Sequence, residues 1–366
     1  MEKELKKANG VGIIISNATN SPQLLEIIKC LKDNQILQAV WFISERDNPL
    51  LAKINELNVP LMRLKTTSKY GVIGQSLLFL IYLLKHRPTT LIASGQFATF
   101  IGIPTAYCMR VRNRIHIRHH SNLHHKYNMR VGLILDCVMN KLSTKIVAVS
   151  QIVKDVLVQK EGVPKDKIDV IYNGIELSLF QSKSMEQITN HQTFRIGVIS
   201  RLTEWKGVAY TARAFKEFVS LHPNSYLHII GARGDDFDQI SRALEGVSKE
   251  KYQIDPLNLD IPGFLHSIDI FVHVPLELDD EAFGIVYVEA LASSTPGIFT
   301  ISGVLNELPD PHLYFSVVPS RDQNAILVEL ERHYRRMANY EPVPVDWLKQ
   351  FDLKHQGLSY YKLATS

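Results

Sequence analysis

Three stretches of this sequence carry residue types at spacings that could do chemistry. In "DDEAFGIVYVEALASSTP", residues 279–296, Glu281 and Glu289 stand eight positions apart around a glycine and a mostly apolar run. In "RLTEWKG", residues 201–207, Arg201 and Lys206 bracket a short polar turn. In "RIHIRHHSNLHHKYN", residues 114–128, five histidines fall within ten positions: His116, His119, His120, His124 and His125. A guanidinium holds phosphate oxygens as a planar fork and an ammonium holds them as a point charge. Burying an unpaired carboxylate is costly, so two acids around an apolar run imply a polar ligand between them unless both are simply exposed. The histidines lack cysteine partners and repeat neither a helical nor a zinc-finger spacing, so no metal site is expected from them.

The elements that must position these residues alternate along the chain. Short β-branched runs, among them "VGIIIS" (11–16), "LQAVWFIS" (37–44), "TTLIAS" (89–94), "RIHIR" (114–118), "KIVAVS" (145–150) and "KIDVIY" (167–172), are separated by amphipathic segments. One of these, "SPQLLEIIKCLKDN", opens on Ser-Pro in a helix-start pattern. Such alternation implies a parallel sheet with helices on both faces, and ligands of these sheets sit outside the carboxyl ends of the strands. The first series closes at the Asn173-Gly174 turn, and the polar, aperiodic stretch 181–193 reads as a linker. A second series follows, with "FRIGVIS", "SYLHIIG", "DIFVHV", "GIFTIS" and "LYFSVV" as strands. Two doubly wound domains are therefore expected, over residues 1–180 and 190–345.

Within the second series, "FRIGVIS" empties into "RLTEWKG" just ahead of a helix that begins near Val208. Arg201 and Lys206 then lie in a strand-end loop at a helix N-terminus, where they could clamp a diphosphate. Gly231 and Gly234 fall in the next βα turn, where glycine permits a close backbone approach or simply makes the turn. "GIVYV" is β-branched and by local propensity reads as a strand. A strand there would leave the parallel pair without its crossover, so topology predicts a helix from Phe283-Gly284 to about Ser293. The free N–H groups of Gly284, Ile285 and Val286 would face an anion, with Glu289 accepting from a ribose-like diol and Glu281 from a second polyol.

At 366 residues the chain is long enough for two cores, and at 45% hydrophobic and 21% charged it is neither disordered nor fibrous. Cys30, Cys108 and Cys137 are odd in number and widely spaced, which argues against a disulfide framework and for a reducing compartment. No secretory signal or membrane-spanning run is read, so a cytoplasmic protein is expected. The net charge of +4 hides an asymmetry: residues 1–180 hold 24 basic and 13 acidic residues, while the remainder holds 17 and 24. Arg110, Arg112, Arg114, Lys126 and Arg130, with the apolar run 72–84, could meet an anionic membrane at the inner face of the cell membrane.

Several motifs together carry a family resemblance. "VAVSQIVKDVLVQKEGVPKDKIDVIYNGIE", "VISRLTEWKG", "HIIGARGDD", "DIFVHVP" and "EAFGIVYVEALASSTPG" stand in the order and approximate spacing of retaining glycosyltransferases of family 4, most closely over residues 140–310. The resemblance implies the GT-B fold: two Rossmann-like domains facing a central cleft, with a C-terminal helix at about 347–366 packing back on the first. It implies that Arg201 and Lys206 bind the donor diphosphate, Glu289 the ribose and Glu281 the transferred sugar, with Gly231, Phe283, Gly284, Ile285 and Val286 lining the donor site. It also implies a strand-end histidine, for which His119 is the best match and His120 the second, with His120 and Asn17 on the acceptor side. The implied reaction uses no metal and no cofactor beyond the nucleotide sugar, and it builds a surface polysaccharide or lipopolysaccharide.

The sequence departs from the family pattern in three places. The first βα turn, "SNATNSPQ", is not glycine-rich; "ISGVLNEL" keeps only Gly303 and Glu307 of the usual turn; and Glu277, Asp279 and Asp280 add acids that could retune sugar preference. In the tail, Phe351, Leu353, Leu358 and Tyr361 are the apolar candidates for docking, and Trp205 and Trp347 read as packing groups. The competing functions are a sugar-nucleotide epimerase or hydrolase and a non-catalytic nucleotide-sugar-binding protein. A dinucleotide oxidoreductase fits poorly, because Gly10 and Gly12 precede the first strand rather than follow it. No nucleic-acid partner is expected.

Overall fold

Strand β1 (Val11–Ser16) is buried along its whole length, as expected for a strand covered by helices on both faces. It lies inside a seven-stranded parallel sheet with β2 (Leu37–Ile43), β3 (Leu61–Leu64), β4 (Thr90–Ser94), β5 (Asn113–Arg118), β6 (Lys145–Ala148) and β7 (Ile168–Val170), in the order β3-β2-β1-β4-β5-β6-β7. A second parallel sheet contains β8 (Phe194–Ile199), β9 (Ser225–Ile230), β10 (Tyr252–Asp255), β11 (Ile270–His273), β12 (Gly297–Phe299) and β13 (Ser316–Val317), in the order β10-β9-β8-β11-β12-β13. The computed structural model describes all residues except 1–9, 17, 45–46, 65–68, 181–192, 257–259 and 338, and of residues 69–73 it describes the backbone. The stretch read as a linker thus lies, all but its last residue, outside the described residues.

Each sheet is wound outward from two neighbouring strands. The direction reverses between β1 and β4 in the first sheet and between β8 and β11 in the second. At such a point the loops leaving adjacent strand ends diverge and open a crevice at the carboxyl edge. The two sheets define two compact units, Met1–Ile175 with Gln350–Ser366, and Glu176–Lys349. The first unit packs Trp41, Phe79, Ile101 and Met139 into one of its layers, and the second gathers Ile196, Phe215, Phe218, Leu227 and Val272. Residues 285–292 form the helix Ile285–Ala292 despite their β-branched content. The crossover between β11 and β12 overrides the local preference.

The C-terminal helix Leu353–Thr365 belongs to the first unit and packs on helix Pro22–Asp33. The chain crosses back at Gly174, whose N–H donates to Gln356 Oε1 at 2.9 Å and whose carbonyl accepts from Gln23 at 2.8 Å. A Cβ at Gly174 would lie 2.7 Å from the Leu353 Cα, so this glycine serves a backbone crossing as well as a turn. Phe351 and Leu353 are buried, but Leu358 is 49% exposed and the buried tyrosine is Tyr360 rather than Tyr361. The helix phase turns the predicted pair outward. Phe351→Ala should therefore cost about 3–5 kcal/mol of unfolding free energy. Leu358→Ala should stay within about 0.5 kcal/mol, both read from urea unfolding.

Candidate functional site

In unit 2 a cluster of charged groups lies at the β8–β11 crevice. After β8 the chain forms a single helical turn, Glu204–Lys206, ended by Gly207 in the left-handed region at φ 69. A Cβ on Gly207 would lie 2.0 Å from the Val274 carbonyl oxygen, so glycine lets this loop press against the end of β11. Trp205 accepts a backbone bond from Leu276 at 3.0 Å, tying the two loops together. The Trp205 ring lies beneath both cations, with Lys206 Nζ 4.3 Å and the Arg201 guanidinium carbon 5.3 Å from its centroid. Trp205 is thus a platform for charge as well as a packing group. Arg201 is exposed, whereas Lys206 is buried and ion-paired with Glu281.

Glu281 is the hinge of this arrangement. It is 7% exposed, accepts from Lys206 and from His273 Nε2 at 2.7 Å, and its backbone N–H donates to Ser302 Oγ at 3.1 Å. Burial alone would raise its pKa, but the Lys206 ammonium and the His273 bond hold it down at about 2. His273 ends β11 and packs edge-on to Tyr287, whose hydroxyl donates to the Thr300 carbonyl at 3.2 Å. Gly303, at φ 56, brings the loop after β12 against Glu281, with its absent Cβ only 2.8 Å from the Glu281 Cβ. Sequence reasoning missed His273, Tyr287 and Ser302. The signal for His273 was a lone polar residue at the carboxyl end of an otherwise apolar strand.

The start of helix Ile285–Ala292 is open. Gly284, Ile285 and Val286 donate to no backbone carbonyl among the described residues, and Phe283 is buried with its carbonyl bonded to the Val304 N–H at 2.9 Å. Glu289, the fifth residue of the helix, is half-buried with no ion-pair or hydrogen-bond partner for its carboxylate among the described residues. Burial pushes its pKa up to about 7. Gly231 sits at the end of β9, where a Cβ would lie 1.6 Å from the Ser200 carbonyl oxygen. Its first duty is to let β8 and β9 end side by side.

In unit 1, His119 is the first residue after β5, and its Nε2 is 2.9 Å from Ser94 Oγ at the end of β4. The ring keeps an open edge, while the protein packed behind it pushes its pKa below that of free imidazole. Gly95, His119, His120 and Asp136 line a small pocket there. Asn17 lies outside the described residues.

The neighbouring Arg118 is 1% exposed and held by Asp136 at 3.2 Å and by both carboxylate oxygens of Glu161, which also accepts from Asn140 at 2.7 Å. Its Nε donates to the His120 carbonyl at 3.1 Å, so a buried charge network clamps the backbone on both sides of His119. His120, His124 and Asp136 offer ligand atoms within 4.8 Å of one another, yet Asp136 is already engaged by Arg118 and by His124 at 2.6 Å.

Comparison with known proteins follows the two units. Residues 180–332 match the model described as "Glycosyl transferases group 1", and residues 23–179 match "Glycosyltransferase Family 4". The chain belongs to this glycosyltransferase family. It is 32% identical over 178 residues to an uncharacterised glycosyltransferase of Methanocaldococcus jannaschii, covering 45% of this chain and 44% of that one. It is 26% identical over 206 residues to the capsular polysaccharide biosynthesis glycosyltransferase CapM of Staphylococcus aureus, covering 52% of each. The chain thus spans about half the length of these curated relatives. Among solved structures it is similar to Anabaena HepE in complex with UDP and glucose, at TM-score 0.78 and 17% identity over 97% of this chain and 99% of that one. The fold is GT-B.

The buried carboxylate and the buried ion network each carry a test. Glu289 has its native pKa raised above the unfolded value, so its ionisation costs stability that is lost as pH rises from about 4.3 through about 7. Glu289→Gln should be nearly neutral at pH 4–5 and gain on the order of 2 kcal/mol over wild type by pH 8, read from urea unfolding. Glu161→Ala should cost about 1–3 kcal/mol, because Arg118 keeps Asp136 but its buried N–H groups lose the acceptors of one carboxylate.

Proposed function

We propose that this protein transfers a hexose, or a modified hexose, from a nucleoside diphosphate sugar to a hydroxyl of a glycan or lipid-linked acceptor. The transfer proceeds with retention at the anomeric carbon and without a metal ion, in the synthesis of a surface polysaccharide or lipopolysaccharide. One observation carries the reading. At the β8–β11 switch point, cationic side chains, three helix amides that donate to no backbone carbonyl among the described residues, and a carboxylate without a partner among them lie at one sheet edge.

Arg201, Lys206 and the amides of Gly284, Ile285 and Val286 suit a diphosphate, whose charge grows as the bond from the anomeric carbon breaks. Glu289 suits a ribose diol, because two hydroxyl donors would supply the hydrogen bonds its carboxylate lacks. Glu281, fixed by Lys206 and His273, offers its remaining acceptor capacity to the transferred sugar. In the balanced step the leaving diphosphate keeps the electron pair of the broken bond, the acceptor oxygen bonds the anomeric carbon, and the acceptor proton departs with the diphosphate. His119 takes part in turnover rather than in holding the donor. HepE is described with UDP and glucose, which supports a uridine diphosphate sugar as the first donor to try.

Thermal stabilisation by UDP, GDP and their sugars tests the donor site, since a ligand at a hundred times its dissociation constant stabilises by about 2.7 kcal/mol. Arg201→Ala should leave the unliganded Tm unchanged and cancel most of that shift. His119→Ala should keep the shift and lose turnover. Release of free sugar or of an epimer from donor alone would point to the hydrolase or epimerase. An inverted product in the anomeric NMR spectrum, or activity lost to a chelator, would overturn retention or metal independence.

A further inference from the structure

His273 carries a cost that its place in the fold does not explain. It ends β11, 2% exposed, parallel to the Phe271 ring with centroids 6.2 Å apart and edge-on to the Tyr287 ring at 4.9 Å. Its Nδ1 is buried with no hydrogen-bond partner among the described residues. A buried polar atom without a partner is destabilising, and an apolar ring would fill the same space without it. What the imidazole adds is its other nitrogen, 2.7 Å from Glu281 Oε1.

That contact decides where the ring carries its proton. The Glu281 carboxylate, held at about 2, is ionised and accepts, so His273 Nε2 must carry the hydrogen. A second proton on Nδ1 would leave a buried N–H without an acceptor and set a second cation beside Lys206, which pairs with the same carboxylate. Burial accordingly pushes the His273 pKa below its ordinary value. The ring is neutral, with hydrogen on Nε2 and Nδ1 bare.

The carboxylate is held from one side. Lys206 Nζ and His273 Nε2 both bond Oε1, and Oε2 has no partner among the described residues. An ammonium on a flexible stem is a point charge that settles equally well between two carboxylate oxygens, whereas a second donor rising from the strand end fixes which oxygen is taken. The backbone is fixed as well. Glu281 N–H donates to Ser302 Oγ at 3.1 Å, and that hydroxyl lies 2.9 Å from the carbonyl oxygens of both Glu277 and Leu278.

We propose that His273 is a positioning residue, which turns Glu281 so that Oε1 is taken by Lys206 and His273 while Oε2 stands open to hydroxyls of the transferred sugar. It acts through Glu281 and touches neither sugar nor nucleotide. Packing alone would be served by phenylalanine, and a proton-transfer role would need Nδ1 within reach of substrate. The inference rests on the donor-site reading for its purpose, but not for the state of the ring.

Nitrogen-15 NMR of the unliganded full chain tests the ring. The His273 signals, assigned by their loss in His273→Gln, should show one bare and one protonated nitrogen, unchanged from about pH 6.5 upward. Calorimetry tests the purpose, with UDP-glucose against UDP and GDP-mannose against GDP. In His273→Phe the sugar nucleotide that wild type binds should lose at least about ten-fold in affinity, and the bare nucleotide less than about three-fold. His273→Gln, whose amide N–H can replace that of Nε2, should recover most of the loss. A residue that only packs would give the reverse order, with phenylalanine the better replacement. A doubly protonated ring, hydrogen on Nδ1, a sugar nucleotide bound alike by wild type and His273→Phe, or equal losses for sugar nucleotide and bare nucleotide overturns the proposal. Wild type that binds neither nucleotide overturns the donor-site reading, and with it the sugar as the ligand of Oε2, whatever the ring shows.

Discussion

A parallel sheet wound in both directions from two neighbouring strands cannot close over its own centre. The loops after those strands must leave toward opposite sides, and the gap between them stays open. The buried charge cluster of the second unit is organised by that gap between β8 and β11. The loop after β8 brings Arg201 and Lys206, the loop after β11 brings Glu281, and the loop after β12 closes behind them through Ser302 and Gly303. Gly207, Gly231 and Gly303 mark the places where backbone meets backbone too closely for any side chain.

Both units hide charge beneath their strand ends, and they do so for different ends. In unit 2 the Lys206, Glu281 and His273 cluster fixes side chains that themselves face the crevice, so the cost of desolvating an ion pair is met where orientation matters. In unit 1 Arg118, Asp136 and Glu161 lie beside the candidate residue rather than within it. Their bonds reach the backbone around His119 and leave its ring to Ser94. A buried arginine held by two carboxylates is a rigid mount, since losing either acid would leave guanidinium N–H groups without an acceptor.

The same first unit divides its surface between two edges. Its carboxyl edge carries the histidine, and its amino edge carries exposed basic residues at helix ends, Lys85, Arg110 and Lys141. Parallel winding produces this separation without further design, because helices returning across the sheet all end at the edge opposite to the ligand edge.

Much of this was legible in the residues themselves. Alternating β-branched and amphipathic runs report a parallel sheet because burial on both faces demands apolar strands. Of the thirteen strands among the described residues, eleven coincide with the runs quoted, β5 starting one residue earlier, and the two that do not, β3 and β10, are edge strands of four residues with polar members. The helix at 285–292 was readable only by letting the crossover outrank propensity. Spacing alone placed Arg201, Lys206, Glu281 and Glu289 in loops or a helix at strand ends. What tertiary structure decided was partnership: that Lys206 spends its charge on Glu281, that His273 completes the group, that Trp205 underlies two cations, that Leu358 faces water while Tyr360 does not. Sequence determines period and order, because these follow from local geometry. Which charges meet depends on the approach of loops many residues apart, and that is set only when the strands pack.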